Sequence, residues 1–343
     1  MNIYLASKKY KIIKELGRGA FGKVYQVLNE EEDKYYALKK IELREFDEEE
    51  LEFYENEAKL LSSINNAHIV KYYDSSKDNE FFYILMEYCE GSDIKQFIKE
   101  YKSKNEKIDE KDIYNIIFDI CLGIKEIHQK NLIHRDLKPE NIFIDKYKMI
   151  KIGDFGISKL LDNNNQYAKS TVGTNNYMAP EVIKGDKYNN KVDIWALGCI
   201  IYELLTLNIC FESKGLYGII DKIVNKPHGK IDTKKYSYKW QNIIDLLLKK
   251  DYKERPDINE VYNLIINLGN ELSIKRHDFK NNKFLDLVIS NNKNSNEKKI
   301  EIISKEESIK LEKENIDYIY LTCKKNKFNY LFIFIFSFNN WKY

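Results

Sequence analysis

The stretch Leu132–Ile144, LIHRDLKPENIFI, decides how the rest of the chain is read. Apolar residues lead into it and out of it. Between them, six of the eight positions from His134 to Asn141 are polar: His134, Arg135, Asp136, Lys138, Glu140 and Asn141. Apolar flanks belong in a core, where an unpaired charge is costly. A polar turn between two strands accounts for the polarity, but not for an acid, a cation and an amide spaced two and three residues apart. That trio suits the movement of a phosphoryl group. Asp136 can accept or orient a hydroxyl proton, Lys138 can steady negative charge, and Asn141 can hold a metal ion. Thirteen residues after Asn141, the run GDFG offers Asp154 as a hard oxygen ligand for Mg2+. Phosphoryl transfer asks the protein chiefly for positioning and charge cancellation.

Upstream, LGRGAFGKV (Leu16–Val24) carries Gly17, Gly19 and Gly22. Two readings compete. A dinucleotide site needs a helix directly after the glycines. Here KVYQVL follows, a strand pattern, which favours a glycine hairpin laying backbone N–H groups over phosphates. Lys39, 17 residues after Gly22, lies in the apolar strand YYALKKI. A solvated surface lysine needs no explanation. A lysine in an apolar strand behind a phosphate-binding hairpin suits phosphate oxygens, and it needs a carboxylate to hold it. Glu57, in ENEAKLL, is the candidate.

The 343 residues allow one large domain with an extension, or two domains. With 43% hydrophobic and 32% charged residues, the chain can bury a sizeable core. A net charge of +2 gives no nucleic-acid footprint. The five cysteines, Cys89, Cys121, Cys199, Cys210 and Cys323, are widely spaced, which fits neither a disulfide framework nor a metal site. MNIYLASKKYKII lacks the apolar core of a signal peptide. These points lead to the expectation of a reduced, intracellular, cytoplasmic setting.

Residues from Tyr10 to about Glu87 alternate in a β-like way, with YYALKKIEL and FFYILMEY as strands. One helix interrupts them over Asp47–Ile64, its stripe formed by Leu51, Tyr54, Ala58 and Leu61. From Asp93 to Leu268 the pattern is mostly helical. Asp109 is placed to cap a helix whose face carries Ile113, Ile116, Ile117, Ile120, Ile124 and Ile127. VDIWALGCIIYELLTL is apolar nearly all round and predicts a buried central helix. A small strand-rich half and a larger helical half suggest two lobes around a cleft. From Gly269 the chain is rich in Asn and Lys, with strand-like FLDLVI and IEII, and ends in FNYLFIFIFSF. That apolar run is shorter than the ~20 residues of a spanning helix. Its β-propensity makes it an aggregation hazard where exposed.

At this point the chain resembles a eukaryotic-type protein kinase across Tyr10 to Leu268. GRGAFGKV, YALK, HRDLKPEN, DFG and APE occur in the family's order. The resemblance implies an α+β, bilobal protein-kinase-like fold, with a small β-rich N-lobe (10–87) and a larger helical C-lobe (91–268). An N-terminal extension (1–9) would precede it, and a C-terminal tail (269–343) would follow. It implies ATP and Mg2+ as cofactors and proteins bearing Ser or Thr as substrates. Leu16, Gly17, Arg18, Gly19, Ala20, Phe21, Gly22, Lys23 and Val24 would cover the nucleotide, with Ala37 beside it. Lys39 would contact its phosphates and pair with Glu57. Met86 would stand behind the adenine, Glu87 and Cys89 would offer it backbone groups, and Asp93 would face the ribose. Asp136 would be the catalytic base, Lys138 the charge stabiliser, and Asn141 and Asp154 the metal ligands. Glu181 of APE would pair with Arg255, and Asp193 would brace the catalytic loop.

Lys138, two places after Asp136, and Thr174 of GTNNYMAPE match the pattern of non-specific serine/threonine kinases. The chain is most similar to the NIMA-related group. KYYDSS, FFYILMEYCEGSDI, the glycine before DFG and KYSYKWQNIIDLLLKKDYKERP carry that likeness. GTNNYMAPE departs from the group's usual Pro-Tyr-Tyr, and no long coiled coil follows the kinase region, so oligomer-driven activation is not implied. A serine/threonine kinase of another branch is the alternative. So is a pseudokinase scaffold, against which Lys39, Asp136 and Asp154 all stand. Between Asp154 and Glu181, Ser170 sits four residues before Thr174, where many kinases carry an activating phosphate. Thr171 is the second candidate, and Arg135 and Lys159 are possible basic partners.

Overall fold

The computed structural model describes residues 2–5, 8–19, 22–43, 55, 58, 59, 61–154 and 174–274, and the backbone of 318–325 and 328–335. Two compact units separate at Ile274 and Lys275.

The first unit begins with a six-stranded antiparallel sheet. Its strands are β1 (Asn2–Leu5), β2 (Lys8–Gly19), β3 (Gly22–Asn29), β4 (Lys34–Glu42), β5 (Tyr72–Lys77) and β6 (Phe81–Glu87), in the order β1-β2-β3-β4-β6-β5. Strand alternation sorts its side chains onto two faces. Ala37, Ile41, Phe82, Ile84 and Met86 join the main core, while Val27, Tyr36, Leu38, Tyr83 and Leu85 form a second cluster on the opposite face. The second face also takes in residues ahead of the expected domain start at Tyr10. Asn2–Leu5 pairs with β2 from Asn2↔Lys11 to Leu5↔Lys8 and also lies against β5. Ile3 and Leu5, two apart, enter the second cluster, with Leu5 only 1% exposed. Four residues are too few to show a strand period in the sequence.

Glu55, Ala58, Lys59, Leu61 and Ser62 are helical, with Ala58 and Leu61 buried. Leu51 and Tyr54 of the expected stripe lie outside the described residues.

The helical lobe contains α1 (Ile94–Lys104), α2 (Glu110–Gln129), α3 (Pro180–Ile183), α4 (Lys191–Thr206), α5 (Gly215–Asn225), α6 (Tyr238–Leu247) and α7 (Ile258–Glu271), with the short hairpin β7 (Ile142–Ile144) and β8 (Ile150–Ile152). The six isoleucines of the α2 stripe are all buried, and α4 is buried on every side, as its all-round apolar sequence predicts. Asp109 precedes α2, but its side chain makes no capping bond. Its backbone carbonyl takes the N–H groups of Asp112 (2.9 Å) and Ile113 (3.0 Å) instead. Asp257 does cap α7, in a reciprocal capping box with Glu260. That helix runs three residues past the expected boundary at Leu268.

The second unit contains a two-stranded antiparallel sheet, β9 (Tyr318–Lys325) and β10 (Phe328–Ile335), in register from Phe328↔Lys325 to Ile335↔Tyr318. The patches FLDLVI and IEII lie outside the described residues. Among the described residues no helix is long and apolar enough to cross a membrane.

Candidate active site

The glycine segment is a hairpin: β2 and β3 are antiparallel and Gly19 faces Gly22 across the turn. No helix follows, so the dinucleotide reading of these glycines is set aside. Two of them are glycine for different reasons. A Cβ on Gly17 would meet open space, whereas one on Gly22 would lie 2.1 Å from the Lys40 carbonyl oxygen of β4. Leu16 and Arg18 are exposed, and Lys23 and Val24 are partly buried opposite Lys40 and Lys39. Ala20 and Phe21 lie outside the described residues.

Ala37 and Met86 oppose each other across β4 and β6 and are both nearly buried. Glu87 follows, its N–H donating to the Lys71 carbonyl at 2.8 Å. Its carboxylate accepts the Lys71 N–H at 3.2 Å and pairs with buried Lys151 at 3.1 Å. Burial pushes the Cys89 thiol up to about 12, so it is a poor nucleophile. Asp93 caps α1, one carboxylate oxygen accepting the Gln96 N–H at 2.8 Å.

The loop that carries Asp136 folds back on itself. Lys138 Nζ lies 2.7 Å from Asp136 Oδ2. Asn141 Nδ2 donates to both the Asp136 carbonyl (2.7 Å) and its Oδ2 (3.0 Å). With its N–H groups turned to Asp136, the Asn141 amide oxygen is left as an acceptor. The Gly153 N–H donates to the Asn141 carbonyl at 2.9 Å, so the segment carrying Asp154 is tied to the same loop. Gly153 itself is demanded by packing: a Cβ there would lie 2.7 Å from Val70 Cγ2 and 3.0 Å from a Phe143 ring carbon.

His134 spans the two segments. Its Nδ1 accepts the Asp136 N–H (3.3 Å), so its Nε2 carries the proton and donates to the Gly153 carbonyl (3.1 Å). Burial holds its pKa below the ordinary histidine value and keeps it neutral. Beneath it, Asp193 of α4 accepts the backbone N–H groups of His134 (2.9 Å) and Arg135 (3.0 Å) and the His128 Nε2 (2.8 Å). Burial alone would push this carboxyl up; the His128 hydrogen bond and charge and the backbone N–H of His134 bring it below the usual range. Arg135 (φ 66°) and Asp154 (φ 52°) have left-handed backbones, which non-glycine residues keep only where surroundings hold them. For Arg135, Asp193 is such a hold.

The ammonium of Lys39, mostly buried, is bonded to the carboxylate of Asp154. The expected partner, Glu57, lies outside the described residues. The expected Glu181–Arg255 pair is formed and buried. Thr174 opens a short turn to Tyr177, while Ser170 and Thr171 lie outside the described residues. Lys151 and Lys95 are charged neighbours of the site that sequence reasoning missed, since their partners lie 64 and 108 residues away in the chain.

The donors fit Mg2+. Asn141 and Asp154 offer hard oxygen, and this ion is commonly held by one or two carboxylates together with substrate phosphates. Among the described residues no group of three or more His, Cys, Asp or Glu is placed to hold a metal by protein alone.

Residues 10–264 match the family described as protein kinase domain. The chain is 37% identical over 258 residues to the probable serine/threonine-protein kinase nek2 of Dictyostelium discoideum, covering 74% of this chain and 61% of that protein. It is 34% identical over 254 residues to serine/threonine-protein kinase Nek1 of Mus musculus (74% and 21%), and 35% identical over 254 residues to Nek5 of Homo sapiens (74% and 36%). The chain thus spans less than two thirds of the length of these curated relatives. An antiparallel glycine hairpin and a loop folded around Asp136, tied through Asn141 to Gly153, are thereby joined to matching sequence over three quarters of the chain, and the chain belongs to the protein kinase family, where these relatives are NIMA-related serine/threonine kinases.

Proposed function

We propose that the protein is a serine/threonine protein kinase of the NIMA-related type, transferring the γ-phosphoryl group of ATP to Ser and Thr hydroxyls of protein substrates. The observation that carries this reading is the closed set of contacts around Asp136: Lys138 at 2.7 Å and Asn141 at 3.0 Å on one carboxylate oxygen. Bound Mg2+–ATP would supply the phosphoryl group and screen its charge. The chain does the rest. Asp136 receives the hydroxyl proton and aims the alcohol. Lys138 offsets charge beside it. Asn141 and Asp154 would hold the metal. Lys39 would steady phosphate oxygens, and Gly17, Gly19 and Gly22 would lie over them. A pseudokinase scaffold has less support, because Lys39, Asp136 and Asp154 are all present and engaged. A serine/threonine kinase of another branch would use the same residues.

Regulation belongs to the same reading. Arg135 Nε is buried without a hydrogen-bond partner among the described residues. This supports phosphorylation of Ser170, or of Thr171, as the event that orders the segment before Thr174. A Ser170→Ala protein is expected to lose activation by an upstream kinase. The proposed setting is cytoplasmic, with protein substrates and without nucleic acid.

The test is a peptide-library phosphorylation assay on purified protein beside Asp136→Asn. General-base assistance contributes about 10²–10⁴ in rate, and a loss of that size is expected. A variant retaining most of the rate would remove Asp136 as the base.

A further inference from the structure

Lys95 lies in the first turn of α1, two residues past the Asp93 cap. Its ammonium is 3.1 Å from Glu203 Oε1 on α4, 3.8 Å from Glu140 Oε1 in the catalytic loop, and 3.5 Å from the Tyr177 hydroxyl. Tyr177 in turn donates to Glu203 Oε2. Both oxygens of buried Glu203 are therefore satisfied. Glu140 is less well served. Its Oε1 has the longer ion pair with Lys95, and its Oε2 is buried without a hydrogen-bond partner among the described residues. Two carboxylates share one ammonium, beside a solvent-accessible surface: the Lys95 and Glu140 side chains are 35% and 42% exposed.

The location gives this arrangement its meaning. Glu140 stands between Lys138 and Asn141, both of which touch the Asp136 carboxylate. A substrate segment presenting its hydroxyl to Asp136 advances about 3.3 Å per residue when extended. Side chains two or three positions from the acceptor therefore pass within reach of Glu140 and Lys95. An acidic pair at such a place would draw a basic substrate side chain. Here a lysine of the chain itself already fills it and would repel a second cation.

We propose, resting on the serine/threonine kinase reading, that Lys95 is a specificity-determining residue. Its ammonium occupies the seat that Glu140 and Glu203 would otherwise offer to an Arg or Lys of the substrate, and so suppresses selection of basic residues near the acceptor. Discrimination of this kind needs a repulsive element as well as attractive ones, and Lys95 is that element.

The experiment is a positional-scanning Ser/Thr peptide library with the full chain, followed by kcat/KM on matched peptides with Arg or Ala near the acceptor. Wild type, Lys95→Ala, Lys95→Gln, Lys95→Arg and the double variant Lys95→Ala/Glu140→Gln are compared, with folding followed by thermal melting. The wild-type Arg:Ala ratio is expected to stay within about twofold. Lys95→Ala and Lys95→Gln should raise it about tenfold, chiefly through KM, the scale of one recovered charge contact. Lys95→Arg should match wild type, and the double variant should lose the gain. An active enzyme whose ratio does not move in either neutral variant overturns the assignment, as does a wild type that already selects Arg strongly. Failure of both neutral variants to fold also overturns it, by making Lys95 structural. A wild type that phosphorylates no Ser or Thr peptide overturns the kinase reading itself, a result distinguishable from the others.

Discussion

The Arg255 guanidinium meets the Glu181 carboxylate through two parallel N–H···O bonds of 2.7 Å, fully buried in the helical lobe. The same guanidinium donates to the carbonyls of Lys249 (2.8 Å), Lys191 (3.2 Å) and Lys250 (3.3 Å) and lies over the Trp195 ring. It thereby joins APE, the start of α4 and the segment after α6. Removing one partner of such a pair leaves an uncompensated buried charge. Arg255→Ala is expected to lower unfolding free energy by about 3–5 kcal/mol in chemical denaturation.

The glycines give a prediction with an internal control. Gly17→Ala enters open space and should change stability by less than about 0.5 kcal/mol. Gly22→Ala drives a methyl into the Lys40 carbonyl, so β3 and β4 must separate where the hairpin starts. Gly153→Ala meets Val70 and Phe143. Each of these two should cost about 1–3 kcal/mol, as overpacking does, and Gly22→Ala should also raise the KM for ATP. Melting curves and ATP titrations of the three variants check the order.

Acid should weaken the fold in two stages. The folded pKa of His134 is lowered, so below 6.5 the unfolded chain binds a proton that the folded chain refuses. His228, also depressed by burial, has the same sign. Stability is full above 6.5, falls as pH drops below it, and levels off beneath the folded values; each histidine adds a slope of up to about 1.4 kcal/mol per pH unit in that window. Asp193, also depressed, stabilises above its unfolded value of 3.8 and loses that contribution as pH falls through its folded value. Denaturant midpoints between pH 7 and 4 should show the first stage, and a His134→Gln/His228→Gln protein should flatten it.

What the sequence made legible was whatever is local or periodic. The Asp136–Lys138–Asn141 spacing survives as a folded loop because a run of six residues suffices to bring those groups together. The isoleucine stripe of α2 and the all-round apolar α4 follow from helical period alone. Strand β1 escaped because two inward residues, Ile3 and Leu5, make no pattern until the cluster they cover is seen. The Asp109 side-chain cap did not form because the residue's own backbone carbonyl takes the first N–H groups of the helix. Gly153 read as a family mark, yet its necessity lies in Val70, 83 residues back in the chain, and in Phe143 of the β7 strand. Lys95 was silent for the same reason: nothing local sets Glu140, Tyr177 and Glu203 around it.

The contact between Glu87 and Lys151 has a mechanical consequence. Glu87 ends β6, at the proposed adenine end of the nucleotide, and Lys151 lies in β8, three residues before Asp154 at the metal end. One side-chain strut thus ties the strand at the proposed adenine end to the strand that leads to Asp154. Lys151 is only 8% exposed, so added salt screens this strut far less than it screens ion pairs on the rim. That tie should accordingly hold steady in brine that loosens the outer surface.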